Sequence, residues 1–271
     1  MTPKITLNSG QTMPLLGLGV YDPQPNQNLV EAIGWALEMG YRLIDTATIY
    51  KNEAEVGRAM SESSLSRNDI FLTTKVWTDD MGYDQTLRAF EQSLKKLNTD
   101  YVDLYLIHWP EKTKRRETWR ALESIYEQGG AMSIGVSNYY QPHLEELFTY
   151  ANIKPAVNQF ELSPYCYLPD ELSFCKSQNI VVQGYAPVVR GQKADDVRLT
   201  EIAKKYNKST FQVLIRWGLQ HGVATIPKSV TKSRLQENME VFDFEISDED
   251  MKTMNTFFDD TRVAWNPMAF L

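Results

Sequence analysis

Two periods of hydrophobic spacing alternate along this chain. Short, continuous apolar runs at residues 42–45, 70–76 and 101–108 are bounded by turn residues and rich in β-branched and aromatic side chains. Between them, residues 29–40 (LVEAIGWALEMG), 83–97 (YDQTLRAFEQSLKKL) and 116–127 repeat apolar positions every three or four residues, which predicts amphipathic helices. Gly40 stands where a helix C-cap belongs. Further strands are expected at 15–22 (LLGLGVYD), 132–137, 156–160, 180–185 and 223–229, and further helices from Glu53 onward, at 144–150, 170–178, 197–206 and 210–220, and after Thr231. Ahead of them, residues 4–7 and 11–14 flank Asn8-Ser9-Gly10, the signature of a small β-hairpin. Eight strands separated by helix-length crossovers require a parallel sheet. In 271 residues without a compositional break, that count predicts an α/β fold, a single (β/α)8 TIM barrel over residues 1–271 with an N-terminal hairpin, rather than an open doubly wound sheet.

The polar residues in this pattern fall at the ends of strands. Asp45, Lys75, His108, Asn138, Gln159, Tyr185 and Lys228 each close a strand, so in a barrel they share one mouth, and Tyr50 follows Asp45 by five residues. A lysine ending a buried strand is either a Schiff-base former or a fixed cation. Beside Tyr50, an ammonium would favour phenolate and lower a pKa that starts near 10, while Asp45 would keep Lys75 charged and oriented. Of the three histidines, His143 and His221 read as helix-surface or helix-end residues, leaving His108 at the rim. A carbonyl oxygen held between Tyr50 and His108 would meet a proton donor and an orienting hydrogen bond, the needs of a hydride reduction. The hydride itself must come from a cofactor. At 226–238, IPKSVTKSRLQEN is a strand end, a basic loop with Thr231 as N-cap and a helix start; Lys228 and Arg234 flank it as a phosphate site. Gly17 and Gly19 form a single G-x-G without a third glycine, read as close packing at a strand end rather than a phosphate loop. Tyr21, Trp77 and Trp109 follow strands one, three and four and would wall the site with aromatic rings; the tail TRVAWNPMAFL would fold over the mouth, bringing Trp265 or Phe270 to a substrate.

Charge and composition narrow the class of partner. A formal net charge of -7 disfavours nucleic acid and an anionic membrane surface. No run approaches the roughly twenty apolar residues of a membrane span, and the start MTPKITLNSG lacks a signal-peptide core, so a cytoplasmic protein is expected. Cys166 and Cys175, without CxxC spacing or a neighbouring histidine, are expected to be reduced thiols, and no metal site is expected.

The segment GYRLIDTATIYKNEAEVGRAM (40–60) resembles the signature of the aldo-keto reductases, and together with IPKSVTKSRLQEN the resemblance extends from the hairpin to about Asp250. It implies a catalytic tetrad of Asp45, Tyr50, Lys75 and His108. It implies a carboxamide-binding set of Ser137, Asn138 and Gln159, with Tyr185 as the face on which a nicotinamide stacks. It implies further that Lys228, Ser229, Val230 and Arg234 grip an adenosine 2′-phosphate and that Glu237 and Asn238 meet the adenine, which makes NADPH (NADP+) the cofactor. Small aldehydes, dicarbonyls and activated ketones are the implied substrates, with Tyr21, Trp77, Trp109 and Trp265 around them, and a monomer is the family's commoner habit. The short connections resemble compact bacterial glyoxal, methylglyoxal and diketogluconate reductases. Two departures from the family pattern stand out: Gly130-Ala131-Met132 where Lys and Arg are common, and Ser163-Pro164 where His-Pro is usual. Two other classes fit parts of the chain. A Schiff-base aldolase using Lys75 leaves Tyr50 and the IPKS segment unexplained; an NADPH-binding redox sensor without turnover would share the fold but retain an idle tetrad. A short-chain dehydrogenase lacks support, since its Gly-rich loop and Tyr-x-x-x-Lys are both absent.

Overall fold

The computed structural model describes residues 2–22 and 28–270. A hairpin opens the chain, β1 (Lys4–Thr6) pairing antiparallel with β2 (Thr12–Pro14). Its turn depends on Gly10, whose φ of +86° lies in the left-handed region that side chains disfavour. Eight parallel strands follow: β3 (Leu18–Gly19), β4 (Leu43–Asp45), β5 (Phe71–Val76), β6 (Leu104–Ile107), β7 (Ile134–Ser137), β8 (Val157–Glu161), β9 (Val181–Tyr185) and β10 (Ala224–Ile226). Each neighbours the next in sequence. The sheet closes where the first strand meets the last. Leu16 bridges Thr225 and Gly19 bridges Lys228, with Thr225 N–H donating to the Leu15 carbonyl at 2.7 Å and Gly17 N–H to the Thr225 carbonyl at 2.9 Å.

That seam explains a difference from the sequence pattern. Residues 15–22 read as one long strand, but only Leu18–Gly19 forms a regular ladder. Gly17 and Gly19 are there for contact: a Cβ on Gly17 would lie 2.2 Å from Leu43 Cδ2, and one on Gly19 2.8 Å from the Ile226 carbonyl oxygen. Their role as close packing at a strand end is borne out.

Helices α1 (Leu29–Glu38), α2 (Glu53–Glu62), α3 (Tyr83–Leu97), α4 (Arg115–Glu127), α5 (Gln141–Phe148), α6 (Pro169–Ser177), α7 (Val197–Lys205), α8 (Thr210–Gln220), α9 (Lys232–Met239) and α10 (Asp248–Met254) surround the barrel. In α3, Thr86, Ala89, Phe90, Ser93 and Leu97 are the buried positions, one face at helical spacing. Gly40 follows α1 at φ +102°, and Tyr41 N–H closes the turn on the Ala36 carbonyl at 2.9 Å. Helix α5 starts three residues earlier than residue 144 because Pro142 fits its first turn and Tyr140 with His143 forms a reciprocal cap.

His143 is therefore no surface residue. It is buried, and its Nδ1 accepts the Tyr140 N–H at 3.2 Å. Burial and the Arg115 charge push its imidazole down to about 4. Between pH 6.5 and 4 the unfolded chain therefore takes up a proton that the native protein does not, so stability is full above pH 6.5 and is lost as pH falls towards 4. His108, also held well below the usual histidine range, adds in the same direction. We expect thermal melts at pH 7, 6 and 4.5 to show a falling Tm, and a shallower fall in His143→Gln; parallel curves would remove His143 as a source.

Alternation along the strands sorts the interior. Leu43, Phe71, Leu104, Leu106, Val157, Ala224 and Ile226 pack inside the barrel over Leu7 and Met13 of the hairpin end, while Ile44, Leu72, Tyr105, Ile107, Ile134 and Val136 pack outward on the helices. By the period of two, Asp45, Lys75, His108 and Gln159 have the inward parity. Apolar residues fill the lower layers and polar ones the top, which places Asp45, Lys75, His108 and Gln159 towards the mouth.

Candidate active site

Asp45 ends β4 and Lys75 lies next to last in β5, one strand over. Their side chains meet: Lys75 Nζ donates to Asp45 Oδ1 at 2.5 Å and to the Thr46 carbonyl at 2.9 Å. Both groups are buried, Lys75 completely. Burial raises the Asp45 carboxyl and lowers the Lys75 ammonium, and each partner's charge opposes the shift of the other. Gln159 completes the carboxylate's shell, its Nε2 donating to Asp45 Oδ2 at 2.7 Å and to Gln183 Oε1 at 2.5 Å. Gln159 occupies the middle of β8 rather than its end.

Tyr50 closes a short 3-10 turn after β4. Lys75 Nζ is 5.2 Å from its ring centroid, and its ring stands edge-on to His108 at 5.5 Å. Tyr50 is half-buried as a residue and lines the cavity. The expectation that Lys75 would lower the tyrosine pKa is overturned. Burial pushes Tyr50 well above 10, and the charge of Asp45 and the neighbouring Tyr21 add to the rise. Desolvation is the largest cause, and Lys75, held by Asp45 and the Thr46 carbonyl, does not outweigh it. His108, just past β6, is held neutral by burial and by the Lys75 charge. Its Nδ1 is sealed without a partner among the described residues, so Nε2 is the ring nitrogen left to serve the cavity.

One cavity of about 1030 Å³ contains these groups. Asp45, Tyr50 and His108 line its base; Asn138, Gln159 and Tyr185 line one wall. Asn138 leaves β7 at φ +64°, which takes it out of the strand alternation. Its Nδ2 donates to the His108 carbonyl at 3.0 Å, and its Oδ1 accepts the Tyr185 hydroxyl at 2.9 Å, fixing the Tyr185 ring. Lys228, Ser229, Arg234, Glu237 and Asn238 line the outer end, beside the start of α9. Thr231 precedes that helix, but its side chain caps nothing; instead its N–H donates to Ser229 Oγ at 3.1 Å. Lys228 Nζ is paired with Asp22 at 2.8 Å. Tyr21, Trp77, Trp109 and Trp265 also line it, with Trp77 5.1 Å from His108 and Trp265 5.3 Å from Trp109.

A scan of family profiles matches residues 15–258 to the one described as the Aldo/keto reductase family. The chain belongs to the aldo/keto reductase family. It is 49% identical over 267 residues to the glyoxal reductase of Bacillus subtilis, with 98% of this chain and 97% of that protein covered. It is 41% identical over 274 residues to the methylglyoxal reductase DkgA of Yersinia pestis, covering all of this chain and 98% of that one. Among solved structures, an aldo-keto reductase of Bombyx mori in complex with NADP superposes with a TM-score of 0.92 at 36% identity, covering 98% of this chain and 95% of that one.

Measured against the family signature, most of the expected residues converge. Lys75 stands behind the cavity rather than on its wall, reaching Tyr50 through the base; Ser137 is buried beside Asn138, and Val230 lies off the wall. The departure at Ser163 makes a tight turn, its Oγ accepting the Cys166 N–H at 3.2 Å. At the other departure, Ala131 bridges Val102 at the foot of the sheet, away from the mouth. The sequence reading overlooked Ile49, Arg190, Arg262 and Phe211, which also line the cavity. Ile49 was recoverable as the neighbour of Tyr50. Arg190 was not: Ala186, Val189 and Arg190 all have φ near +50°, a conformation that ordinary side chains disfavour and no local motif announces.

Proposed function

We propose that this protein reduces small aldehydes, dicarbonyls and activated ketones, extending to keto-sugars, to alcohols, with NADPH as hydride source and Tyr50 as the acid. The observation that carries this reading is continuity: the group of Tyr50, His108 and the Lys75-backed Asp45 forms the base of the cavity whose far end holds Lys228 and Arg234. The donor set fits a nicotinamide dinucleotide. Gln159 spends both amide hydrogens on Asp45 and Gln183, leaving its carbonyl oxygen for a ligand's amide. Tyr185 offers a fixed aromatic face, and the cations and hydroxyl beside α9 suit phosphate. Two relatives named as glyoxal and methylglyoxal reductases, and a structural neighbour solved with NADP, support the same assignment.

When bound, NADPH supplies the hydride that no side chain can. The chain's own residues then handle the carbonyl oxygen. Neutral His108 donates from Nε2 and orients the oxygen towards Tyr50. Tyr50, kept protonated by its surroundings, delivers its proton as negative charge develops on that oxygen. Lys75 then faces the phenolate left behind, which its charge stabilises, and Asp45 with Gln159 keeps the lysine in place.

The test is loss of reduced-nicotinamide absorbance with purified protein, NADPH or NADH, and methylglyoxal, phenylglyoxal, nitrobenzaldehyde or diketogluconate. Rapid loss with NADPH and slow loss with NADH is expected; tight NADPH binding with no turnover on any carbonyl would replace the reductase with a redox sensor. Arg234→Ala is expected to weaken NADPH by roughly 1.5–3 kcal/mol, the scale of one hydrogen bond to a charged group, and to leave NADH nearly unchanged. Equal losses for both cofactors would remove the 2′-phosphate clamp.

A further inference from the structure

Glu161 is the last residue of β8, only 4% exposed, and outside the cavity lining. A carboxylate buried this far from water requires donors. Its donors come from a segment about a hundred residues away: Val263 N–H donates to Oε1 at 2.7 Å and Ala264 N–H to Oε2 at 3.1 Å. Arg262 and Arg190 add favourable charge. These two amides belong to the tail that carries Trp265. A second tether lies farther on, where Arg115 Nη1 donates to the Phe270 carbonyl at 3.2 Å. Between the tethers, Trp265 packs 5.3 Å from Trp109, 6.4 Å from Trp77 and 6.2 Å from Phe270, forming an aromatic side to the cavity that holds Tyr50 and His108. Trp265 is itself 60% exposed, so packing alone holds it weakly.

We propose that Glu161 is a specificity-determining positioning residue: by binding the Val263 and Ala264 amides it sets Trp265 against Trp109 and so favours carbonyls bearing an aryl group over methyl-sized ones. The inference rests on the carbonyl-reductase reading and names the substrate class within it. Flat rings beside the reacting groups reward a flat substituent through offset or edge contacts. A methyl-sized substituent offers those rings far less surface to contact. Releasing the tether therefore affects the two classes unequally, whereas general damage to the fold would affect both alike.

The experiment compares Glu161→Ala and Glu161→Gln with the unsubstituted full chain in steady-state reduction of phenylglyoxal and methylglyoxal by NADPH, with amide hydrogen exchange over residues 261–266. For Glu161→Ala, the KM for phenylglyoxal is expected to rise at least about fivefold, the scale of one lost aromatic contact. The methylglyoxal constants should stay within about twofold, and the Val263 and Ala264 amides should lose protection. Glu161→Gln should fall between, since it keeps one acceptor oxygen. Equal KM rises for both carbonyls, an unchanged phenylglyoxal KM despite lost protection, or retained protection would each overturn the proposal. Should Glu161→Ala fail to fold, Glu161→Gln in a Trp265→Ala background decides: no further change in phenylglyoxal KM is expected, and additive losses overturn it. An unsubstituted protein that reduces neither carbonyl removes the reductase reading, and the specificity role with it, while the exchange data still report whether the tether exists.

Discussion

Tyr50→Phe is expected to lower kcat for methylglyoxal reduction by at least about 10²-fold, the usual contribution of a positioned general acid, while NADPH affinity changes little. The substitution removes one oxygen at the base of the cavity and leaves the ring against His108 and Tyr21, 5.5 and 4.9 Å away. His108 is held neutral, and a carboxyl at Asp45 is committed to Lys75 and Gln159. Stopped-flow single turnovers separate the chemical step from product release, so a loss confined to release would count against Tyr50 as the acid. Because burial holds the tyrosine protonated, activity of the unsubstituted protein should not decline between pH 6 and 9 from ionisation of free Tyr50. A comparable kcat in the phenylalanine variant would end this mechanism.

The second large effect concerns Asp45 and Lys75. Breaking a buried ion pair by removing one partner typically costs about 3–5 kcal/mol, because the other charge is left without compensation. Asp45→Asn strands Lys75 with the Thr46 carbonyl as its main acceptor; Lys75→Met strands the carboxylate with Gln159 as its remaining donor. We expect each to lower the urea midpoint by that order. The double variant should recover part of the loss, since two neutral groups cost less to bury than one unpaired charge. In Asp45→Asn the lysine sheds its proton in the native state and keeps it in the unfolded one, so the unfolded chain binds more protons and the deficit should shrink as pH rises from 7 to 10. Losses that simply add in the double variant would mean that the pair is not coupled. All three variants should be nearly inactive, because Tyr50 loses the organised cation near its ring.

Asp45, Tyr50, Lys75 and His108 were legible as candidates because strand and turn patterns are local. An inward strand position is set by a period of two, so the residue that ends a buried strand can be placed at the mouth from sequence alone. The same holds for the eight-strand count, for Gly17 and Gly19 as contact residues and for the basic start of α9. Less local features were misread. His143 read as a helix-surface or helix-end residue; it does stand in the first turn of α5, but the reciprocal cap with Tyr140 draws it inside rather than leaving it on the surface. Residues 15–22 looked like one strand, yet the seam replaces most of the ladder with isolated bridges.

By itself, then, the sequence determined the barrel, the polarity of its mouth and the strand-end residues Asp45, Lys75, His108 and Tyr185, since each follows from spacing within a few residues. Tertiary structure alone decided how those residues act on one another. Gln159 reaches Asp45 across 114 positions, and Val263 reaches Glu161 across 102; no periodicity encodes such pairs. The direction of the Tyr50 shift is also a tertiary property. It depends on how completely water is excluded and on how near Asp45 and Tyr21 lie, both of which are set by distant parts of the chain brought to one place.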